Sequence, residues 1–395
     1  MKRTKLPQET RKMRFEEAHT GWTENRLTQE EAALLLGVCT RTFRRYINRY
    51  EENGLEGLID KRLDQISHRR APVDEVMKLV NDYQSDHLGW NAKHFHAWYQ
   101  RKGGTRSYTF VKKVLQEKEF IQPGKSKGKH RIKRARSPLP GMMIHQDGST
   151  HEWVQGQVWD LIVTMDDANN EHYSMFFVEQ EGTVSSFRGV FNTLMKKGLF
   201  CSFYSDRGSH YWLTPEAGGK VDKKNLTQFG RAMKQLGIGM IAAYSPQARG
   251  RSERMFSTHQ ERLPKELALA GITDMTQANK YLEEIYLPQF NEEFIKPARE
   301  EGSAFTPLLG AKIKDILCEQ HERVVGQDNC VQFEGLKLQI ESSRHRINYV
   351  KLKVKVHRFW DGQLSIFYGP KKLGDYDQEG LLITQEKGEE IKAAA

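Results

Sequence analysis

Three apolar runs near the middle of the chain decide the fold: M-M-I-H-Q-D-G-S (Met142–Ser149), V-W-D-L-I-V-T-M-D-D (Val158–Asp167) and H-Y-S-M-F-F-V (His172–Val178). Their β-branched and aromatic residues are typical of strands. The segment D-D-A-N-N-E between the second and third runs consists of residues that favour a turn. The sequence therefore predicts three consecutive strands, the first of which runs into Asp147.

Helices and strands alternate after these runs. A helical pattern over Thr183–Lys197 is followed by a fourth strand, C-S-F-Y-S-D-R-G, that ends at Asp206. A helix over Asn225–Leu236, a fifth strand (I-G-M-I-A-A-Y-S-P) and a helix from Arg249 complete the series. This order is that of a ribonuclease-H-like α/β domain, in which strand one is central and strand four lies beside it.

Three carboxylates occupy chemically meaningful places in this order. Asp147 and Asp206 become neighbours at strand ends, and Glu253, one turn into the last helix, lies across from them. Carboxylate oxygens suit Mg²⁺, and two such ions can support in-line phosphoryl transfer. On this interpretation Asp147 bridges both ions, while Asp206 and Glu253 each serve mainly one.

Other polar residues in this region have two possible roles. Asp166 and Asp167 close a hairpin, where aspartate is expected for turn formation, although a metal role stays open. His151 either contacts a phosphate or belongs to a strand end. Arg207 either positions a substrate or is structural.

The excess positive charge of the chain lies in its first third. Residues 1–140 contain 30 Lys and Arg against 17 Asp and Glu, whereas the rest contain 31 and 34. Such asymmetry indicates that the N-terminal region binds a polyanion. No apolar run is long enough for a membrane span. The basic N-terminus has no apolar segment typical of a secretion signal. The four cysteines form no C-x-x-C pair, which fits buried thiols in the cytoplasm.

Residues 29–48 have the pattern of a helix-turn-helix. Thr28 and Glu31 predict a capping box, Gly37 the turn, and Thr40 the cap of a second helix. The face of that second helix suits entry into a DNA groove, although an arginine-rich solvent face is the alternative. The residues predicted to contact DNA here are Arg41, Thr42, Arg44 and Arg45, with Arg49 nearby.

A second helical unit and a basic linker follow. Amphipathic helices are predicted from Asp74 and around His94–Tyr99, and a basic helix follows a cap at Thr105 or Ser107. Gly124–Gly141 holds seven Lys and Arg and no acid, as in an extended linker. The predicted DNA contacts are Arg106, Tyr108, Lys112 and Lys113 in the helical unit and Arg131, Lys133 and Arg134 in the linker.

Four ordered motifs together resemble the DDE transposases of bacterial insertion sequences, and most of all the integrase-core group of "not classified yet" insertion sequences. They are H-Q-D-G-S-T-H-E-W, T-M-D-D-A-N, F-Y-S-D-R-G-S and S-P-Q-A-R-G-R-S-E-R-M-F. The resemblance spans roughly residues 141–309. It implies that Asp147, Asp206 and Glu253 are the catalytic triad, that Mg²⁺ or Mn²⁺ is used, with two ions per site, and that transposon ends are cut and joined to target DNA.

The resemblance has further implications and one departure. It implies at least a dimer on paired DNA ends, in the bacterial cytoplasm with the nucleoid. Related enzymes carry a Lys or Arg two helical turns beyond the glutamate, where this chain has Gln260, so that role passes to Arg254 or Arg262. Arg249 and Arg251 also precede the glutamate and are predicted DNA contacts. A domesticated DNA-binding regulator with an inactive core and a stand-alone nuclease are the alternatives.

The C-terminal region alternates with period two in three runs, which predicts a small antiparallel barrel. Lys351, Lys353, Lys355 and Arg358 include a basic row that either binds DNA or covers a structural cap. The whole chain is therefore predicted as a multidomain α+β protein. Its predicted divisions are residues 1–66 and 67–123 (helical DNA-binding domains), 124–140 (linker), 141–300 (catalytic core) and 301–390 (helix and barrel).

Overall fold

The structure, a computed structural model, describes residues 5–59, 70–123, 135–216, 219–244, 246–308, 312–342 and 346–383. Its contacts divide the chain into two compact units, Met1–Asn81 and Asp82–Ala395. Within the described ranges, no helix is both long and apolar enough to cross a membrane.

The first unit is helical: α1 (Lys5–Thr23), α2 (Gln29–Leu36), α3 (Thr40–Asn53), a 3₁₀ turn (Gly54–Leu58) and the start of α4 (Val73–Asp86). Phe15, Phe43 and Ile47 form its core with small alanines, which let the helices approach closely. The predicted capping box of Thr28 and Glu31 is present, and Gly37 ends α2 with φ 71°. These features confirm the predicted helix-turn-helix.

Two details of this unit differ from the prediction. Helix α1 has weakly segregated apolar residues and was not predicted, although Phe15 belongs to the core. Thr40 is not the cap of α3, because Cys39 occupies the N-cap position without a side-chain cap. Cys39 is exposed, as is Cys201, while Cys318 and Cys330 are buried, so the expectation of four buried thiols holds for two.

The second unit begins with the end of α4, followed by α5 (Ala92–Arg101) and α6 (Tyr108–Glu117). Asn91 caps α5, and the Ser107 hydroxyl accepts a hydrogen bond from the Phe110 amide, so Ser107 is the cap of α6. Tyr83 and Phe95 meet edge to face at 5.0 Å in the apolar contact between α4 and α5.

The centre of this unit is a five-stranded sheet with the order β3-β2-β1-β4-β5. Its strands are β1 (Ile144–Val154), β2 (Gln157–Asp166), β3 (His172–Val178), β4 (Ser202–Ser205) and β5 (Gly239–Ala242). Strands β1, β2 and β3 are antiparallel, whereas β4 is parallel to β1 and β5 to β4. The predicted central position of strand one, with strand four beside it, is confirmed.

Helices cover both faces of the sheet because strand residues alternate between two apolar cores. Ile144 and Phe203 belong to one core, with α7 (Thr183–Lys197) and α8 (Gln228–Gln235). Trp153 and Val163 belong to the other, with α9 (Pro246–Leu269), α10 (Met275–Tyr281), a π-helical turn (Leu282–Tyr286) and α11 (Leu287–Phe294). Helix α9 begins three residues before the predicted start.

The C-terminal strands form open sheets, so the predicted barrel is wrong. After α12 (Ile313–Ile316), one sheet has the order β11-β10-β9-β6 and a separate hairpin pairs β7 with β8. Their ranges are β6 (Glu319–Val324), β7 (Cys330–Phe333), β8 (Leu336–Gln339), β9 (Lys353–Arg358), β10 (Leu364–Tyr368) and β11 (Lys371–Tyr376). Alternation indicates one buried face per strand but does not determine whether the edge strands pair with each other.

Candidate active site

Asp147 and Asp206 lie where β1 and β4 stop pairing. The parallel register joins Ile144 to Phe203 and His145 to Tyr204. Continuing this register by two residues places Asp147 opposite Asp206. Asp147 is buried, and Asp206 is half-buried at the start of a turn in which its Oδ1 accepts the Gly208 amide proton at 2.8 Å.

The buried hydroxyl of Tyr211 lies within the electrostatic influence of both aspartates. Tyr211 donates a hydrogen bond to Oε1 of Gln146 at 3.1 Å and receives one from Ser186 at 3.2 Å. Burial, and then the charge of Glu181 and of the Asp147 and Asp206 carboxylates, raises the pKa of this phenol well above its ordinary value. Three carboxylates therefore act on one buried hydroxyl.

Helix α9 runs along β1 with two side-chain contacts that fix its position. Near its beginning, Arg251 forms an ion pair with Asp167, which is also 2.9 Å from Nε2 of His145 on β1. Nine residues later, Nε2 of Gln260 donates a hydrogen bond to Oγ of Ser149 at 2.9 Å. The helix and the strand therefore advance in the same direction.

These contacts fix the level and the face of Glu253. Glu253 precedes Gln260 by seven residues, or about two turns, so both lie on one face of α9. Ser149 and Asp147 are two residues apart in β1, so they share a face of the sheet. Glu253 is exposed and shares a helix face with Gln260, at a level between those of His145 and Ser149.

The donor set consists of hard oxygen ligands, as Mg²⁺ and Mn²⁺ require. In the described part of the chain, no group of three or more His, Cys, Asp and Glu side chains is arranged to hold a metal ion. The strand register thus places Asp147 and Asp206 side by side, and these two residues and Glu253 do not form a closed three-carboxylate site.

Asp167 has a structural role that its interpretation as a turn residue does not predict. It is fully buried, and its Oδ2 accepts hydrogen bonds from the amide and hydroxyl of Ser137 at 2.7 and 3.0 Å. Burial disfavours its charged form, but His145, Ser137 and Arg251 outweigh that cost and hold the pKa of Asp167 far below its usual range. Asp167 therefore joins the segment before β1, the strand itself and α9.

The neighbouring Asp166 is also buried and accepts hydrogen bonds from the Gly141 and Ala168 amides, each at 2.7 Å. Burial raises its pKa. Sequence reasoning found only the turn, because aspartate is common in turns whether or not it is buried.

His151, Arg207 and Gln260 each have structural contacts. The ring of His151 meets Trp153 at 5.1 Å, and Arg207 donates a hydrogen bond to the Gly219 carbonyl at 2.8 Å. Gln260 links α9 to β1. Arg262 is buried and binds both oxygens of Glu293 at 2.7 and 2.9 Å, which leaves Arg254 as the exposed arginine of that pair.

The residues predicted to contact DNA in the first unit are on its surface. Arg41, Arg44 and Arg45 are exposed on α3, and Thr42 is half-buried beside Cys39. Nε of Arg44 donates a hydrogen bond to Gln29 at 2.7 Å. The face retains its positive charge, as groove binding requires.

The predicted contacts of the second unit differ in exposure. Tyr108 and Lys113 are exposed, Lys112 is half-buried, and Arg106 is half-buried over the Phe110 ring. Arg131, Lys133 and Arg134 lie outside the described residues, as does the side chain of Arg249, whose backbone is in α9.

His94 and the basic row of the C-terminal region have intramolecular partners. His94 is buried and donates from Nε2 to Glu266 at 2.6 Å, which joins α5 to α9 and makes His94 structural. In the C-terminal sheet, Lys353 pairs with Glu322 at 2.7 Å, and Arg358 pairs with Glu319 at 2.6 Å. The basic row is therefore partly neutralised.

A cavity of about 440 Å³ lies beside α5 and α9, away from the aspartate pair. Its floor includes Glu266, whose carboxylate is already bound by His94 and by the Tyr281 hydroxyl at 3.0 Å. Asp147, Asp206 and Glu253 are not among its lining residues. The cavity lining includes Trp90, Trp98, Arg101, Glu266, Leu269 and Tyr281.

A helix-turn-helix unit followed by an α/β domain with carboxylates at adjoining strand ends is typical of proteins that act on DNA. The family model described as "Winged helix-turn helix" matches residues 20–73. The Sinorhizobium fredii protein named "Putative transposase y4bF" is 30% identical over 370 residues, covering 90% of this chain and 79% of that protein.

A second relative is the transposase for insertion sequence IS1202 of Streptococcus pneumoniae. It is 24% identical over 405 residues, covering 92% of this chain and 86% of the relative. The chain belongs to the family of bacterial transposases that includes these two proteins.

Two solved structures are more distant. A chain of the simian T-cell lymphotropic virus intasome in complex with PP2A regulatory subunit B56 gamma has 14% identity and a TM-score of 0.33, covering 70% of this chain and 90% of that one. The trimeric HTLV-2 integrase catalytic core in complex with magnesium has 16% identity and a TM-score of 0.29, covering 37% and 84%. Similarity at this level carries no weight for the site.

Proposed function

We propose that this transposase binds the terminal inverted repeats of its element, cleaves at the ends and joins their 3′-hydroxyls to target DNA. Asp147, Asp206 and Glu253 are the proposed catalytic residues. The observation that supports this most directly is the placement of Asp147 opposite Asp206 by the parallel register of β1 and β4. The path of α9 along β1 supports Glu253 as the third carboxylate.

These three residues would hold the divalent ions, Mg²⁺ or Mn²⁺. Bound there, the ions supply an activated oxygen nucleophile and charge stabilisation at the phosphate. The chain itself contributes hard oxygen ligands on two adjacent strand ends and a helix. Because β1 and α9 are buried against one core, the ligands are held on rigid elements.

In this proposal the basic N-terminal region provides most of the affinity for DNA. The exposed arginines Arg41, Arg44 and Arg45 of α3 would contact phosphates and bases of the terminal repeat. Arg254 is exposed one residue after Glu253, where it can bind the phosphate backbone beside the catalytic carboxylates. Two ends must be processed together, so the active form would be at least a dimer.

The decisive experiment is a joining assay with the full chain. It combines pre-cleaved end oligonucleotides from the inverted repeats that flank the gene, a target plasmid, and Mg²⁺ or Mn²⁺. The wild type should give joined products, whereas Asp147→Asn, Asp206→Asn and Glu253→Gln should give none.

Helix α9 offers a matched control for the third residue. Glu261 is exposed on the same helix eight residues after Glu253, so Glu261→Gln removes the same charge at another place. It should join ends as the wild type does. Joining by Asp147→Asn would disprove the site, and end binding without metal-dependent joining by the wild type would favour a DNA-binding regulator.

A further inference from the structure

A fourth carboxylate, Glu181, lies close to the strand that carries Asp147 and to the turn that carries Asp206. It precedes α7, and its backbone amide donates a hydrogen bond to Oδ2 of Asp160 on β2 at 2.6 Å. Asp160 is buried and also accepts the hydroxyl proton of Thr150 on β1. Two strands of the sheet therefore fix the backbone of Glu181.

The side chain of Glu181 occupies space that a glycine leaves open. A Cβ atom at Gly148 would lie 2.3 Å from Oε2 of Glu181, closer than any real contact. Gly148 directly follows Asp147 in β1. The carboxylate of Glu181 thus lies against the backbone of β1 at Gly148, on the sheet face opposite to the Asp147 side chain.

The side chain of Glu181 also contacts the turn that carries Asp206. Its Oε1 lies 3.5 Å from the Tyr211 hydroxyl and 3.5 Å from Nε2 of His210. That His210 nitrogen is buried and has no hydrogen-bond partner among the described residues. The imidazole also packs on Gly208, whose amide binds Asp206.

The contacts connect Glu181 to both aspartates. At Gly148 it touches the strand backbone that follows Asp147, and through His210 and the Gly208 turn it is linked to Asp206. The hydroxyl of Tyr211 experiences the charge of all three carboxylates. Since the three charges act on one hydroxyl, the Glu181 charge adds to the negative potential around the pair, and its contacts with His210 and Tyr211 restrict the turn that carries Asp206.

We infer that Glu181 is a positioning residue of the catalytic centre, which raises the affinity of the Asp147 and Asp206 pair for a divalent cation without being one of its ligands. The inference rests on the proposed function of that pair. It assigns His210 and Tyr211 as the groups through which Glu181 restrains Asp206. It also assigns Gly148 a role, because any larger residue there displaces the Glu181 carboxylate.

Cation affinity can be measured separately from catalysis with Tb³⁺ as the probe. Trp212 lies in the Asp206 turn and donates a hydrogen bond to Ser205 at 3.0 Å, so it can sensitise Tb³⁺ luminescence. Full-length wild type and variants are titrated with Tb³⁺, and bound Tb³⁺ is then displaced with Mg²⁺. Asp147→Asn identifies the part of the signal that belongs to the pair.

The main variant is Glu181→Gln, which keeps the size and a hydrogen-bond acceptor but removes the charge. Its matched control is Glu179→Gln, an exposed carboxylate two residues earlier. Glu181→Gln should weaken Tb³⁺ and Mg²⁺ binding by about tenfold or more, the range seen for residues that support metal ligands. Glu179→Gln should not change either.

A second variant, at Gly148, displaces the Glu181 carboxylate without changing Glu181 itself. Gly148→Ala places a methyl group against the flexible end of Glu181, so the carboxylate moves while the backbone is retained. It should weaken Tb³⁺ binding to a similar extent. In joining assays, both variants should raise the Mg²⁺ concentration for half-maximal rate more than they lower the rate at saturating Mg²⁺.

The outcomes separate the inference from the proposed function. If Glu181→Gln binds Tb³⁺ and Mg²⁺ as Glu179→Gln does, the inference is wrong. If it loses joining at all Mg²⁺ concentrations with unchanged Tb³⁺ affinity, the inference is also wrong. If the wild type fails to join ends yet Asp147→Asn and Glu181→Gln both weaken Tb³⁺ binding, the proposed function fails while the role of Glu181 in cation binding is supported.

Discussion

Arg251 of helix α9 forms an ion pair with Asp167, a fully buried carboxylate at the end of β2. Asp167 also binds His145 of β1 and Ser137, so one side chain connects three parts of the α/β domain. Arg251 is two residues before Glu253. The position of the third proposed catalytic carboxylate along β1 therefore depends on a pair that does not itself belong to the site.

Replacing Arg251 by alanine should both destabilise the protein and impair the joining of DNA ends. Removing one partner of a buried ion pair typically costs about 3–5 kcal/mol, because the other charge loses its compensation. Asp167 keeps its bonds to Ser137 and His145, so we expect a loss of about 3 kcal/mol, at the lower end of that range. Thermal unfolding monitored by tryptophan fluorescence measures it.

Arg254→Ala is the matched control, since Arg254 is exposed on the same helix. It should change unfolding by less than about 0.5 kcal/mol, as surface substitutions usually do, while weakening DNA binding. Equal stability of the two variants would contradict a structural role for Arg251.

The hydrogen bond between Gln260 and Ser149 should be energetically coupled. In a double-mutant cycle with Ser149→Ala and Gln260→Ala, we expect a coupling free energy of about 1 kcal/mol, the usual net value of a hydrogen bond in a folded protein. Urea unfolding of the four proteins gives this value. A cycle of Ser149→Ala with Glu261→Gln, on an exposed position of α9, should be additive.

The arrangement of the aspartate pair could be predicted because it follows from strand order. Once strand one is central and strand four is its parallel neighbour, Asp147 and Asp206 must be close. The sequence predicts the start of α9 at Arg249, three residues late. The helix begins at Pro246, and proline is favourable at the first position of a helix. Glu253 consequently lies two turns into the helix.

The supporting residues could not be predicted in the same way. Asp167 has the local sequence of an ordinary turn, and its burial depends on Arg251, which is 84 residues away in the sequence. Glu181 has no local motif, because its neighbour Gly148 is contributed by another strand. Closure of the C-terminal sheet likewise depends on long-range edge pairing, which the alternation of Lys353 and Val354 does not encode.

The helix α3 arginines should determine the salt dependence of end binding. Each protein–phosphate contact that is lost reduces the slope of log K against log salt by about 0.9. Arg41→Ala and Arg45→Ala, one turn apart on the exposed face, should each reduce the slope by about that amount if they contact phosphates. Fluorescence anisotropy with end DNA between low and high salt measures the slope.

Arg26→Ala is the control for this series, because Arg26 is exposed in the same unit but is paired with Glu24 before α2. Its slope should match that of the wild type. A uniform decrease for all three variants would show that net charge, and not the α3 face, governs binding.

The buried histidine pair between β3 and α9 should make the α/β domain sensitive to acid. Nε2 of His172 lies 3.3 Å from Nε2 of His259, whose Nδ1 lies 2.9 Å from the Tyr286 hydroxyl. Burial lowers the pKa of His172 to about 4. Burial, followed by the charge that His172 carries when it is protonated and by the charge of Arg262, lowers the pKa of His259 well below its ordinary value. Both rings are therefore neutral in the folded protein at pH 7.

The sign of the effect follows from proton linkage. In the unfolded chain His172 regains an ordinary pKa near 6.5, so between pH 6.5 and about 4 the unfolded state binds more protons than the folded state. Stability is thus complete above the unfolded pKa and decreases as the pH falls. From pH 7 to pH 5 we expect His172 alone to account for a loss of about 2 kcal/mol.

Thermal or urea unfolding at pH 7 and pH 5 tests this expectation by comparing His172→Gln with the wild type. The variant will be less stable at pH 7, but its decrease between the two pH values should be smaller by about 2 kcal/mol. His151→Gln, a partly exposed histidine of β1, should keep the wild-type decrease. Because the readout is a difference between pH values, it does not depend on the packing cost of the substitution. An undiminished decrease in His172→Gln would show that other buried groups, such as His357 with its pKa lowered by burial to about 4, govern the acid sensitivity.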